Sequence, residues 1–227
     1  YNYELLFSSM TKILFFDWDG TLCSKRVSEE ANVLRTQMFE SSLDKKELIR
    51  LQHNNNNNHY ALVQSYIASY LGVNEPSSSY VKSIQANVFC THYIHSIAKK
   101  DILFDVDELK QFKQKNNVKI VIVTSLWEGG IKLSLNKLGI KDVFDGIYGC
   151  PHDLSTTKQE NLEKAISEVE GEPFLMSGDR GEDIDAGVAC NLKTLFCNYG
   201  HGSVENTDFS IEEAEELLPM LEKIINH

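Results

Sequence analysis

Asp17 and Asp19 are the first residues whose type and spacing could do chemistry. They follow an apolar run, Ile13 to Phe16, and precede Gly20 and Thr21. Side chains two apart on an extended segment project to the same side. Both carboxylates can therefore face one ligand while Trp18 points away. Two carboxylates that close repel each other unless a cation or a shared proton lies between them. Hard oxygen donors of this kind suit Mg²⁺. Gly20 permits a tight turn, and Thr21 adds a hydroxyl and a backbone N–H. Further along, Thr124 and Ser125 end a β-branched run with two hydroxyls able to hydrogen-bond a phosphoryl oxygen. Lys158 stands at the expected start of a helix. A cation there opposes the helix dipole and makes better sense beside an anion. Asp179 and Asp183 add two carboxylates within Ser177-Gly178-Asp179-Arg180-Gly181-Glu182-Asp183. Any one of these groups alone is ordinary: a turn, a solvated lysine, a helix cap. Four groups in order, each after an apolar strand, point to one shared site.

The elements that would position them follow from periodicity. Short apolar or β-branched runs at 12–16, 118–123, 143–148, 173–176 and 192–197 predict strands. Helical stripes alternate with them: Val106, Leu109 and Phe112; Ile131, Leu135 and Leu138; Leu162, Ala165, Ile166 and Val169; and 184–189, with Asn191 as a left-handed stop. Thr157 and Glu160 form a capping box at the helix that begins near Lys158. Ser210 and Glu213 are expected to cap a last helix along Ile211, Ala214, Leu218, Leu221 and Ile225, which Pro219 kinks or divides. Strands alternating with helices predict an α/β fold with a Rossmann-like parallel sheet flanked by helices. In such sheets the working site lies beyond the carboxyl ends of the strands.

Residues 24–100 have another texture. Val27, Ala31, Leu34 and Met38 fall at helical spacing after Ser28 as an expected cap. Leu62, Tyr66, Ile67, Tyr70 and Leu71 do the same, stopped by Gly72. Val81, Ile84, Val88 and His92 continue the pattern. This predicts a helical cap, 24–100, inserted into a core made of 1–23 and 101–227. Tyr66, Tyr70, His92 and His95 are the cap side chains expected to reach a substrate, with His152 at the site edge. The asparagine run from Asn54 to Asn58 is expected to be an exposed loop between two cap helices, because Asn competes with helix through side-chain bonding.

Composition narrows the partners. The chain of 227 residues carries 33 acidic and 22 basic residues, a net charge of -11. A surface that acidic repels phosphate backbones, so nucleic acid and anionic membrane are poor partners. No stretch approaches the ~20 apolar residues of a membrane helix. Five cysteines, an odd number without C-x-x-C spacing, argue for free thiols in a reducing cytoplasm rather than a disulfide framework. Met10 precedes a strand-like run directly, so Tyr1 to Ser9 is read as an extension. A monomer or homodimer is expected.

Together the residues resemble the haloacid dehalogenase superfamily of phosphohydrolases. Asp17-Trp18-Asp19-Gly20-Thr21 is similar to its first motif, D-x-D-G-T. Thr124 is similar to the second, Lys158 to the third, and Gly178-Asp179 with Asp183 to the fourth, G-D-x-x-x-D. Lys164, inside the helix, is the other lysine within reach of the third motif. The helical insertion resembles a C1-type cap. The stretch from Gly178 to Gly202, with Tyr199-Gly200-His201-Gly202, looks most like the phosphoglycolate phosphatase-like subgroup. The resemblance implies that Asp17 is a nucleophile and Asp19 a general acid and base. It implies Mg²⁺ held by Asp17, the Asp19 backbone, Asp179 and Asp183. Thr21, Thr124, Ser125 and Lys158 would then bind the phosphate of a small phosphorylated metabolite, the partner that the resemblance implies. A sugar phosphomutase shares these motifs, and a catalytically silent metabolite-binding module is the reading from another class. True dehalogenases lack the second aspartate, and the phosphonate-cleaving branch resembles D-W-A-G-T.

Overall fold

Lys12–Phe16 form strand β1, and its last four residues are fully buried. Ile13 and Phe15 join one apolar cluster, Leu14 and Phe16 another. A strand covered on both faces belongs inside a parallel sheet. In the computed structural model, which describes residues 10–54 and 58–226, it is a central strand. The expected extension, Tyr1 to Ser9, and residues 55–57 of the asparagine run lie outside the described residues.

Four helices follow β1: α1 (Arg26–Glu40), α2 (Lys45–Asn54), α3 (His59–Leu71) and α4 (Ser79–Ser96). Phe39, Val63, Tyr66, Ile67 and Val81 form an apolar cluster of their own among these helices. Val27 and Ala31 of α1 and Phe89 and Tyr93 of α4 belong instead to the main cluster under the sheet. The end of the asparagine run is put to local use, because Asn58 caps α3 and accepts from the Ala61 N–H at 2.9 Å.

The chain then forms α5 (Val106–Asn116), β2 (Val118–Trp127), α6 (Glu128–Leu138), β3 (Gly146–Cys150), α7 (Lys158–Glu168), β4 (Glu172–Gly178), α8 (Gly181–Ala189), β5 (Lys193–Cys197), β6 (Phe209–Ile211) and α9 (Leu217–Ile225). The sheet order is β3-β2-β1-β4-β5-β6, every neighbouring pair parallel. The chain moves outward from β1 to β2 and β3, then returns to the other side of β1 for β4. That reversal opens a crevice at the carboxyl ends of β1 and β4, where ligands of such sheets bind.

Several expectations need correction. Strand β2 does not stop at Val123. Pairing resumes at Trp127 opposite Cys150 after a register shift, so Thr124 and Ser125 lie within the strand. The third strand starts later than expected, because Lys141–Val143 form a 3₁₀ turn. Ser28 is not a cap: α1 begins two residues earlier, and the Ser28 hydroxyl donates to the Lys25 carbonyl at 2.9 Å. Met38 is exposed, and Phe39 points inward in its place. Ser210 and Ile211 belong to a sixth strand rather than to a helix start. Asp208 pins that strand by accepting from the Thr194 N–H and hydroxyl. Pro219 sits in the first turn of α9, where its missing N–H costs nothing, so the helix is not divided. Asn191 does enter left-handed space, at φ 56°. All five cysteines are free thiols. No described helix is long and apolar enough to cross a membrane.

Candidate active site

Asp17 follows β1, Asp179 follows β4, and Asp183 lies in the first turn of α8. One carboxylate oxygen from each falls within 4.8 Å of the others, and all three side chains are buried. The Lys158 ammonium enters this group from the first residue of α7. It lies 2.6 Å from Asp17 Oδ1, 2.7 Å from Asp183 Oδ1 and 3.2 Å from the Val123 carbonyl. The anions that justify a lysine at a helix start are thus the protein's own. Thr157 and Glu160 fix that start through the reciprocal capping box. Lys164 faces elsewhere, with its ammonium 5.9 Å from the Tyr148 ring centroid. Asp183 works twice: Oδ2 accepts from the Arg180 N–H at 3.0 Å, capping α8, while Oδ1 meets Lys158.

The charges do not balance. Three buried carboxylates face one buried ammonium, so with all three ionised they would carry two more negative charges than Lys158 neutralises. Burial pushes Asp17 well above the usual carboxylate range, against the opposing pull of Lys158. Burial also raises Asp183. At Asp179 burial works the same way, but hydrogen bonds from His201 outweigh it and the group sits below its ordinary value. Burial alone would lower Lys158, yet Asp17 and Asp183 hold it above its ordinary value and charged. An all-oxygen, doubly negative buried donor set fits a hard divalent cation such as Mg²⁺. Mg²⁺ at about a hundred times its Kd should raise Tm by about 5–10 °C, from ~2.7 kcal/mol of linkage at roughly 2–4 °C per kcal/mol. The shift should shrink as pH falls and Asp17 takes up its proton, because the cation binds the ionised form. Melting curves with Mg²⁺ or chelator across pH 5–8 check both statements.

Asp179 is held from three sides. His201 donates to Oδ2 from its backbone N–H at 2.6 Å, and its Nδ1 lies 2.8 Å from the same oxygen. The Thr21 hydroxyl reaches Oδ1 at 3.5 Å. Gly20 packs against Asp179 Oδ2 so closely that an added Cβ would collide with it, and its φ is +86°. Gly20→Ala should therefore displace Asp179. The left-handed backbone alone costs a non-glycine about 1–2 kcal/mol, or about 2–8 °C in Tm. Loss of most of the Mg²⁺-induced melting shift is the second expected result of the same titration.

Asp19 stands apart from the acid cluster. Its carboxylate accepts from the Tyr93 hydroxyl at 3.2 Å and lies 3.7 Å from His201 Nε2. Only its backbone carbonyl remains for the expected metal role. Burial raises its pKa to about 6, against the opposing pull of Ser28, His201 and Tyr93 close by. Asp19 borders a cavity of about 340 Å³ between sheet edge and helical insertion, which Ser125 and Trp127 also line. Of the expected phosphate-binding hydroxyls, Ser125 borders this cavity and donates to Glu182 at 3.2 Å. Thr21 serves Asp179. Thr124 is buried, and its Oγ accepts from the Leu126 N–H.

The four cap residues expected to reach the substrate do not border this cavity. Tyr66 is buried in the insertion's own cluster, and Tyr70 and His95 are exposed. Of the expected α4 stripe, Val81 is buried and Ile84 and Val88 pack half-buried against the insertion's own cluster, while the face of α4 turned to the main core carries Phe89, Cys90 and Tyr93, which the stripe did not include. His152 is exposed and borders a separate cleft with Trp127 and Lys164. Sequence reasoning missed Tyr93 and gave His201 no role. The only hint for His201 was its place between two glycines, which lets the loop approach Asp179.

A parallel sheet with carboxylates and a lysine at its switch point, roofed by a helical insertion, is a Rossmann-like α/β core with a buried ionic site at the place where such sheets bind ligands. The family model described as haloacid dehalogenase-like hydrolase matches residues 14–197, and the chain belongs to that family. No curated protein matches the chain. Among solved structures, a predicted phosphatase from Clostridium acetobutylicum is similar at 18% identity and TM-score 0.69, over 95% of this chain and 100% of that one. A predicted phosphoglycolate phosphatase from Haemophilus somnus is similar at 14% identity and TM-score 0.62, over 93% and 98%. A β-phosphoglucomutase from Clostridium difficile is similar at 19% identity and TM-score 0.58, over 96% and 98%.

Proposed function

We propose that this hydrolase is a Mg²⁺-dependent phosphatase. It acts on a small phosphate monoester through an aspartyl-phosphate at Asp17, in the manner of a phosphoglycolate phosphatase. One observation supports this above the others. A buried carboxylate, Asp17, is paired with Lys158 at 2.6 Å beside two further acids, and a second carboxylate two residues on borders the cavity. When bound among Asp17, Asp179 and Asp183, Mg²⁺ supplies positive charge that lets an anionic nucleophile and an anionic phosphate approach.

In the first step an Asp17 oxygen forms a bond to phosphorus, and the bond from phosphorus to the leaving oxygen breaks. Asp19 gives its proton to that oxygen. In the second step Asp19, now a carboxylate, takes a proton from water. The water oxygen bonds to phosphorus, and the Asp17–phosphorus bond breaks, releasing inorganic phosphate. A pKa of about 6 suits a group that must be acid and then base near neutral pH. Lys158 stabilises charge on the non-bridging oxygens. Tyr93 and His201 orient Asp19 and Asp179.

A phosphomutase shares this site and would need a bisphosphate activator. The net charge of -11 supports a small metabolite over a polynucleotide. A screen of phosphorylated metabolites with Mg²⁺, run beside Asp17→Asn, tests the proposal. Mg²⁺-dependent phosphate release that the variant loses supports it. Isomerised sugar phosphate formed only with a bisphosphate would replace it with the mutase reading.

A further inference from the structure

The reaction proposed above uses the Asp19 side of the cavity and leaves its roof without a role. Helix α1 turns Ser28, Asn32 and Arg35 toward the cavity, at the spacing that puts three residues on one helix face. Arg35 is only 6% exposed. Its Nε has no hydrogen-bond partner among the described residues, and burial works against its charge with no described carboxylate paired to it. Its guanidinium carbon lies 5.5 Å from the Phe89 ring centroid. Cation–π attraction offsets only part of the loss of water around a buried charge. Burial lowers the Arg35 pKa, yet a guanidinium does not escape by losing its proton near neutral pH. The other charged residues of the wall besides Asp19, Glu29 and Arg180, are exposed. The cavity, about 340 Å³, lies at the small end of the ~300–1,000 Å³ range of ligand sites.

We infer that Arg35 binds a second anionic group on the substrate. The substrate class is then a small phosphate monoester that carries a carboxylate or a second phosphate at its other end. This rests on the phosphatase reading and narrows it. The planar guanidinium fork matches either anion through two parallel hydrogen bonds. Phe89 and Trp127 line the same cavity and offer apolar surface to the short spacer between the two ends. The anion completes an arginine that has no ion pair among the described residues.

The test uses the full chain with Mg²⁺ and matched substrate pairs. The carboxylate arm compares 2-phosphoglycolate with ethyl phosphate. The phosphate arm compares propane-1,3-diol bisphosphate with propyl phosphate. The wild type should favour the doubly anionic member of one pair by about 30-fold or more in kcat/KM. Arg35→Gln should erase that preference chiefly through KM, and Arg35→Lys should restore part of it. Arg35→Gln should melt at or above the wild-type temperature, since it removes an unpaired buried charge. The inference is overturned if the wild type shows no preference in either arm, or if Arg35→Gln keeps the preference. A lower melting temperature with an equal loss on both members of each pair overturns it too, because Arg35 would then be structural. If no phosphate ester is turned over at all, the phosphatase reading fails. Equilibrium binding of 2-phosphoglycolate and propane-1,3-diol bisphosphate, each against its matched ester, to wild type and Arg35→Gln then decides the arginine assignment separately.

Discussion

Asp17→Asn abolishes turnover while leaving the fold intact. The amide has the shape of the carboxylate but cannot form and release an acyl phosphate, so the two-step route closes. Loss of a nucleophile from a catalytic unit costs about 10⁶ in kcat, which places the variant below detection against p-nitrophenyl phosphate. The stability effect runs the other way. Burial holds Asp17 well above its ordinary pKa, so its ionised form works against the fold. Asparagine removes that charge and leaves Lys158 its 2.7 Å contact with Asp183. The metal-free variant should therefore melt at or above the wild-type temperature. Its Mg²⁺-induced shift should fall, since one of three carboxylates is gone. Three measurements read this result: turnover, metal-free Tm and the Mg²⁺ shift. Turnover within tenfold of wild type would remove Asp17 as nucleophile. Lost turnover with a collapsed Tm would mean that Asp17 serves the fold.

The acids were legible because local chemistry marks them. Asp17 and Asp179 each follow a short apolar strand, and Asp183 caps the next helix while facing Lys158, so sequence neighbours say most of what positions them. The sheet was legible for the same reason, since each long strand announces itself by its own side chains. What escaped depends on partners distant in sequence. Tyr93 lies 74 residues from Asp19, and only the packing of α1 on α4 fixes which side of α4 turns inward. Helix α4 buries two faces: the expected Val81, Ile84 and Val88 pack on the insertion's own cluster, and the one that escaped, Phe89, Cys90 and Tyr93, packs on the main core. Arg35 carries no local mark in the sequence, because the ring it packs on, Phe89, belongs to another helix. Strand β6 has three residues and no pattern of its own; its place comes from β5 and Asp208. Thr124 and Ser125 looked like a strand end because they are polar, yet backbone pairing to β3 carries the strand past them.

The second large effect separates the two roles given to Asp19. With an alkyl phosphate, whose leaving oxygen needs a proton, Asp19→Asn should lose about 10²–10⁴ in kcat, the usual worth of a positioned acid or base. With p-nitrophenyl phosphate the leaving group departs without a proton, so the first step should survive largely intact. The second step still needs a base. The variant should therefore release a burst of one p-nitrophenolate per active site and then stall with the aspartyl-phosphate accumulated. Rapid mixing reads the burst, and acid quenching traps the phosphoenzyme. The pH profile gives a second handle. Burial places Asp19 at about 6, and the free enzyme must hold that proton to begin, so wild-type kcat/KM for an alkyl phosphate should decline as pH rises through that value. Asp19→Asn should lack this limb, because the amide does not titrate. Equal losses on both substrates with no burst would contradict the acid role. Tyr93→Phe provides the intermediate case. Its hydroxyl donates to Asp19 at 3.2 Å and favours the carboxylate form. Removing it should move the declining limb to higher pH and leave the burst absent, since the base of the second step remains.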